Sequence, residues 1–202
     1  MNETLHEITE KSLERFMRYG VKSVSMDDIS KSLGMSKKTL YQYYANKEAL
    51  IQGAIEQQQK RDADVFASIQ SKSVNAIDEM VQIAEYFLTI LKDLGPSFIY
   101  DMRKYYPLQW KLSKDFHNVF LKAEIKSNIE RGMEERYYRQ NLDPDLVSTF
   151  YVASSWAIAD DVIVSFKDFD PQALVKQHVM YHLYGLLSSY GHEHLKDYKF
   201  FE

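Results

Sequence analysis

Residues 24–50 read Val24-Ser25-Met26-Asp27-Asp28-Ile29-Ser30-Lys31-Ser32-Leu33-Gly34-Met35-Ser36-Lys37-Lys38-Thr39-Leu40-Tyr41-Gln42-Tyr43-Tyr44-Ala45-Asn46-Lys47-Glu48-Ala49-Leu50. Small polar residues punctuate the stretch. Ser25 suits a helix N-cap, and Asp28, three residues on, completes a capping box with Asp in place of the usual Glu or Gln. Asp27 and Asp28 also favour the positive end of the helix dipole. Ile29 and Leu33 share one face at i, i+4, and Gly34 ends this short helix. Met35 and Ser36 make a turn. Ser36 caps a third helix over residues 37–44, and Asn46 caps a fourth running to about residue 70. Two short capped helices joined by a glycine-containing turn predict a helix-turn-helix, whose second helix enters the major groove of DNA.

At about 100° per residue, Leu40 and Tyr44 of the third helix fall together and face a core. Lys38, Thr39, Gln42 and Tyr43 fall on the opposite side. Lysine can donate to guanine O6 and N7, and glutamine can pair with adenine through two hydrogen bonds. Lys37 and Tyr41 lie on the flank, where phosphate is the expected partner. Backbone amides near Ser25 and Ser36 are expected to add phosphate contacts. From Lys31 to Lys47 there are four lysines (Lys31, Lys37, Lys38, Lys47) and no Asp or Glu. The whole chain has a net charge of −4, but a local basic island can still meet phosphate.

The stretch resembles the DNA-binding domain of the TetR family of bacterial repressors. That family's pattern is a Thr or Ser cap, an Ile-Ala pair, a Gly-Val-Ser turn, Thr-Leu-Tyr, an aromatic pair, and Lys-Glu-x-Leu. This chain supplies Ser25, Ile29-Ser30, Gly34-Met35-Ser36, Thr39-Leu40-Tyr41, Tyr43-Tyr44 and Lys47-Glu48-Ala49-Leu50. The resemblance spans residues 5–55. Ser30 and Leu33 stand where Ala is usual, Met35 where Val is usual and Tyr44 where Phe is common, changes that touch packing. The resemblance implies an all-α chain: an N-terminal three-helix DNA-binding domain over residues 1–46, continuing into helix four, and a larger helical effector-binding and dimerisation domain over residues 47–202. It implies phosphate contacts at Tyr41 and Lys47, with Thr39, Gln42 and Tyr43 in the groove. It further implies a homodimer on a palindromic operator, released by a small-molecule effector.

The rest of the chain suits this architecture. Only 7 of 202 residues are Gly and 4 are Pro, which favours long helices. Periodicity predicts helices over residues 3–19 and 76–93. Gly95-Pro96 breaks the chain, and two or more helices follow over residues 97–137. Asp143-Pro144 and Asp170-Pro171 each pair an N-cap with proline at N1, opening helices expected over residues 144–166 and 171–190. Both are apolar on more than one face, as helices at the centre of a domain or covered by a partner are. Val147, Ile158, Leu174, His178, Tyr181, His182 and Leu186 are the interface candidates, in a four-helix bundle between two subunits. Phe98, Tyr106, Trp110, Phe120, Tyr151 and Trp156 are candidates to line an apolar effector site.

His178 and His182 have a spacing that can hold a metal. With no Cys in the chain and no H-E-x-x-H pattern, they read instead as structural or interface histidines. Asp160 and Asp161 interrupt an apolar helix and read as capping or ion-pairing groups. The absence of Cys excludes disulfides and a thiol nucleophile. No phosphate-binding glycine loop and no G-x-S-x-G occurs, so neither an enzyme nor a cofactor is expected. The N-terminus is polar, with no apolar run behind it, and no segment approaches the ~20 apolar residues that cross a bilayer. A cytoplasmic protein without membrane contact is the expectation. The competing reading, a helical ligand-binding or adaptor protein without specific DNA recognition, leaves the basic island unexplained.

Overall fold

The computed structural model describes residues 3–158, 170–195 and 198. These form ten helices: α1 Glu3–Tyr19, α2 Met26–Ser32, α3 Lys37–Tyr43, α4 Lys47–Lys72, α5 Ala76–Asp93, α6 Pro96–Tyr105, α7 Pro107–Glu134, α8 Pro144–Ala157, α9 Pro171–Leu186 and α10 Ser189–Leu195. Among the described residues there is no strand, only an isolated bridge between Tyr138 and Leu187. No described helix is long and apolar enough to cross a membrane.

The helix ends follow from local chemistry. Gly20, at φ 83°, closes α1 with its amide on Phe16 O at 2.9 Å. That left-handed conformation favours glycine. Asn46 Oδ1 accepts from Ala49 N at 2.8 Å to cap α4. Asp143 Oδ1 accepts from the amides of Asp145 and Leu146, and Asp170 Oδ1 from Gln172 N, so both Asp-Pro pairs open helices. Helix α9 departs from expectation. It stops at Leu186 rather than near residue 190, because Leu187 turns extended and pairs with Tyr138. Ser188 N donates to Tyr137 O and Arg139 N to Leu186 O, at 2.9 and 2.8 Å. Long-range pairing outweighs helix propensity here. Asp160, Asp161 and the remainder of the helix expected to residue 166 lie outside the described residues.

The chain divides into two compact units. The first comprises Met1–Val65 and Asp93–Asp115, the second Phe66–Lys92 and Phe116–Glu202. The core of the first unit gathers Ile8, Phe16, Ile29, Leu40, Leu50, Ile51 and Met102, all fully or nearly fully buried. Helix α6 reaches it through two backbone attachments. Gly95 N donates to Met17 O at 2.7 Å, and the buried Asp101 carboxylate accepts from Lys22 N at 2.7 Å.

The second unit is stitched by polar groups inside it. Arg131 donates to Glu79 and to Glu135, each at 2.7 Å, and to the hydroxyl and carbonyl of Ser73, each at 3.0 Å. Glu79 is 2% exposed. A carboxylate that deep persists only when paired. Asn128 Nδ2 donates to Ala76 O at 2.9 Å. The buried Tyr138 hydroxyl has Ala76 O and Asn128 Oδ1 as acceptors, each at 3.1 Å. Gly132 leaves the space that the Tyr138 ring fills, and a Cβ there would overlap it.

Candidate nucleic-acid interface

Helices α2 and α3 are held by their caps. Ser25 Oγ accepts from Asp28 N at 3.1 Å, and Ser25 N donates to Asp28 Oδ2 at 2.9 Å, the full reciprocal box. The hydroxyl and amide of Ser25 hold the Asp28 carboxyl below its ordinary range. Gly34, at φ 64°, makes the turn. Ser36 Oγ accepts from Thr39 N at 3.0 Å and also pairs with the Thr39 hydroxyl at 2.8 Å.

With both ends set, α3 presents a fixed face. Leu40 is fully buried, whereas Lys37, Lys38, Tyr41 and Gln42 are exposed and Thr39 is half-buried. The expected division of this helix into a core side and an outer side is therefore present at Leu40, Lys38 and Gln42. Tyr43 packs half-buried against the core of the first unit. It lies three residues after Leu40, about 60° from it on the helix, so it belongs to the inner flank. Ser25 and Ser36 spend their hydroxyls on their own helices.

The basic island also resolves into two kinds of lysine. Lys31 pairs with Asp27 at 3.0 Å, which raises its pKa. Lys47 is half-buried. Its ammonium donates to Val21 O and lies 5.8 Å from the Phe16 ring centre and 5.7 Å from that of Tyr106. Burial pushes its pKa down, with Asp101, Glu48 and Asp28 acting against that. Lys37 and Lys38 stand exposed, with no ion pair among the described residues.

The six aromatic candidates for an effector site do not share one unit. Phe98, Tyr106 and Trp110 pack against the core of the first unit. Phe120, Tyr151 and Trp156 belong to the second. There Phe120 stacks on Phe116 at 5.5 Å and meets Phe66 edge-on at 5.1 Å, with Tyr86 and Phe87 around Phe66. Trp156 Nε1 donates to Asn118 Oδ1 at 2.6 Å. Glu124, one turn beyond Phe120, is half-buried, and burial raises its carboxyl pKa, with Glu79 adding to the rise. Phe66, Tyr86 and Phe87 escaped the sequence reading because their helices predict only an inward face.

Of the interface candidates, Tyr181 is 82% exposed, Leu186 is 1% exposed inside its own subunit, and Val147, Ile158, Leu174, His178 and His182 are half-buried. His178 Nε2 pairs with Ser154 Oγ at 2.7 Å, and the rings of His178 and His182 lie 4.7 and 4.5 Å from that of Tyr151. Helices α8 and α9 thus pack on each other through a partly polar seam. The apolar side chains they leave outward are Leu146 and Phe150 on α8 and Tyr181 and Tyr184 on α9. Leu146 and Phe150 are four residues apart, a spacing legible in the sequence once the buried Ser148, Tyr151 and Val152 mark the other face. Among the described residues no group of three or more His, Asp or Glu side chains is placed to hold a metal.

The fold and the face of α3 define a helix-turn-helix regulator of transcription that binds DNA. A family model described as bacterial regulatory proteins, tetR family, matches residues 8–54, the stretch that holds the helix-turn-helix. An uncharacterized HTH-type transcriptional regulator, YvaF, of Bacillus subtilis is 26% identical over 139 residues, covering 65% of this chain and 69% of that protein. A transcriptional regulator from Cytophaga hutchinsonii has a similar structure, with a TM-score of 0.71 at 19% identity, covering 92% of this chain and 98% of that one. The ketosteroid transcriptional regulator KstR2 of Mycobacterium tuberculosis has a TM-score of 0.62 at 17% identity, covering 94% and 97%.

Proposed function

We propose that this protein is a dimeric repressor that binds a palindromic operator and leaves it when a small apolar effector binds the larger helical part of the chain. The observation that carries the DNA half is the face of α3, where Lys37, Lys38, Tyr41 and Gln42 are all exposed over a wholly buried Leu40. Gln42 and Lys38 read base edges, with Thr39 beside them, and Tyr41 and Lys37 meet phosphate. The contacts expected of Ser25, Ser36, Tyr43 and Lys47 complete the set. Lys47 first has to leave Val21 O.

The dimer half is supported by Leu146, Phe150, Tyr181 and Tyr184, apolar side chains left outward on two packed helices. Two such pairs make a four-helix bundle and set two reading helices about one DNA turn apart. The effector half is supported by the half-buried, stacked rings of Phe116 and Phe120 with the half-buried Glu124 one turn on, aromatic side chains beside a carboxyl. The effector shifts the population toward a spacing of reading helices that mismatches the operator, with α4 as the covalent continuation from the DNA-binding helices. No catalytic group and no cofactor takes part.

The test is selection of bound sequences from random duplex DNA by the purified protein at two salt concentrations. Enrichment of a palindrome with two equal half-sites is the expected result. Retention without enrichment, lost steeply as salt rises, would reduce the interface to a basic surface and favour an adaptor role. The coupling fails if operator affinity is unchanged by every compound that binds the second unit.

A further inference from the structure

We infer that the surface meeting DNA extends beyond the helix-turn-helix: Lys22 in the α1–α2 turn and Lys104 on α6, with Tyr100 and Tyr105, form a second patch that binds the phosphate backbone of the same duplex. This rests on the DNA-binding reading above. All four residues are exposed. Lys22 Nζ donates to the Tyr105 hydroxyl at 3.0 Å and lies 4.5 Å from the centre of its ring. Lys104 Nζ donates to the Tyr100 hydroxyl at 2.7 Å and lies 5.1 Å from the Tyr100 ring centre and 5.5 Å from that of Tyr105.

The chemistry of the patch is one-sided. Each phenol oxygen accepts from a lysine, so its own hydrogen remains to be donated. Two ammoniums and two phenol O–H groups therefore face outward, all donors, and the partner they fit is rich in acceptors and negative charge. The hydrogen bond from Lys22, the larger cause, and the charges of Lys104 and Lys22 lower the Tyr105 pKa and make its proton the better donor. Asp101, the one carboxylate among the described residues that acts on Lys22, is buried, is the smallest of the influences on that ammonium, and is engaged with Lys22 N, where it fixes the turn.

Position selects the backbone of the bound duplex. Lys22 stands three residues before Ser25, the cap of α2, and next to Val21, whose carbonyl holds Lys47. The patch is thus attached to the turn that ends at one expected phosphate contact, Ser25, and holds another, Lys47, through the Val21 carbonyl. It is open surface without enclosing walls. A lone small anion gains little from exposed charges, whereas a duplex releases counterions for each phosphate neutralised. Lys31 is paired and Lys47 turned inward, so Lys22 and Lys104 supply charge that the basic island itself holds back.

The experiment measures affinity across a salt series, by fluorescence anisotropy, for a labelled random-sequence duplex and for the palindrome selected from it. Wild type is compared with Lys22→Gln, Lys104→Gln, the double variant, and Lys72→Gln on α4 as a charge control. All three sites are exposed, and thermal unfolding checks that each variant is folded. The slope of log K against log salt is expected to shrink by about 0.9 for each single patch variant and about twice that for the double. The change is the same on both duplexes, because no base is read, and Lys72→Gln keeps the wild-type slope. Wild-type slopes in the patch variants, or an equal loss in Lys72→Gln, overturn the inference while leaving the DNA-binding reading intact. Wild-type protein that binds neither duplex overturns both.

Discussion

The two units place their polar groups differently. In the first, serine, lysine and glutamine side chains cap short helices and line the surface of α3, over a core of Ile8, Phe16, Ile29, Leu40, Leu50 and Ile51. In the second, Glu79, Asn128, Ser148 and Tyr138 are buried, and Arg131 ties the end of α4 to α5 and α7. The first arrangement is local and modular, which suits a surface that must keep one shape for a rigid duplex. The second joins residues more than fifty positions apart. It makes the helices of that unit depend on one another, so disturbing one disturbs several.

The contrast is open to attack, and the largest effect is expected at its centre. Arg131→Met leaves Glu79 buried without its cation and removes two bonds to Ser73. We expect a loss of about 3 kcal/mol in urea unfolding, the low end for a broken buried pair because a quarter of Arg131 is exposed. A loss below about 1 kcal/mol would make the network a surface pair and erase the distinction. At the other unit, Gln42→Ala is expected to leave stability alone. It should cost about 1–3 kcal/mol of discrimination at one or two base pairs, measured on single-substitution duplexes. A uniform loss across all duplexes would contradict its role in reading bases.

Acid should act on the second unit. Burial pushes His178 down to about 4, and burial with the charge of His178 pushes His182 down to about 3. His182 Nε2 is enclosed without a hydrogen-bond partner among the described residues. The groups facing the two imidazoles are the Tyr151 ring and the Ser154 hydroxyl on α8, and neither neutralises an imidazolium. The unfolded chain takes up protons below its ordinary histidine pKa of about 6.5, while the folded chain resists them down to about 4. Stability is therefore fully present above pH ~6.5. It falls as pH drops through the interval between, by up to about 1.4 kcal/mol per pH unit for each histidine. Urea unfolding of wild type against a His178→Gln, His182→Gln double variant measures this contribution. Parallel profiles would show that the imidazoles are solvated.

The smallest effect belongs to the caps. Ser25→Ala should cost about 1 kcal/mol in thermal unfolding, and Ser25→Gly less. Equal losses would mean that the hydroxyl does not carry the cap.

The different arrangements also explain what could be read in advance. The caps at Ser25, Ser36, Asn46, Asp143 and Asp170 were legible because each bond joins residues two or three apart. The inner position of Tyr43 was legible too: three residues carry it only about 60° from Leu40 on the helix, and it packs against the core of the first unit there. The split among Phe98, Tyr106, Trp110 and the other aromatics was missed because residue type marks an apolar side chain without saying which core it enters. Lys22 and Lys104 carried no signal at all, being 82 positions apart by the difference of their numbers.

From its sequence alone this chain determined its helices, most of their ends and the order of residues along the reading helix, because capping and amphipathic spacing act over a few residues. Tertiary structure decided which lysines remain free, where α9 stops, and which aromatics share a core. Those outcomes depend on Val21 meeting Lys47, Tyr138 meeting Leu187 and α6 docking on α1, contacts between residues far apart in the chain that no local pattern encodes.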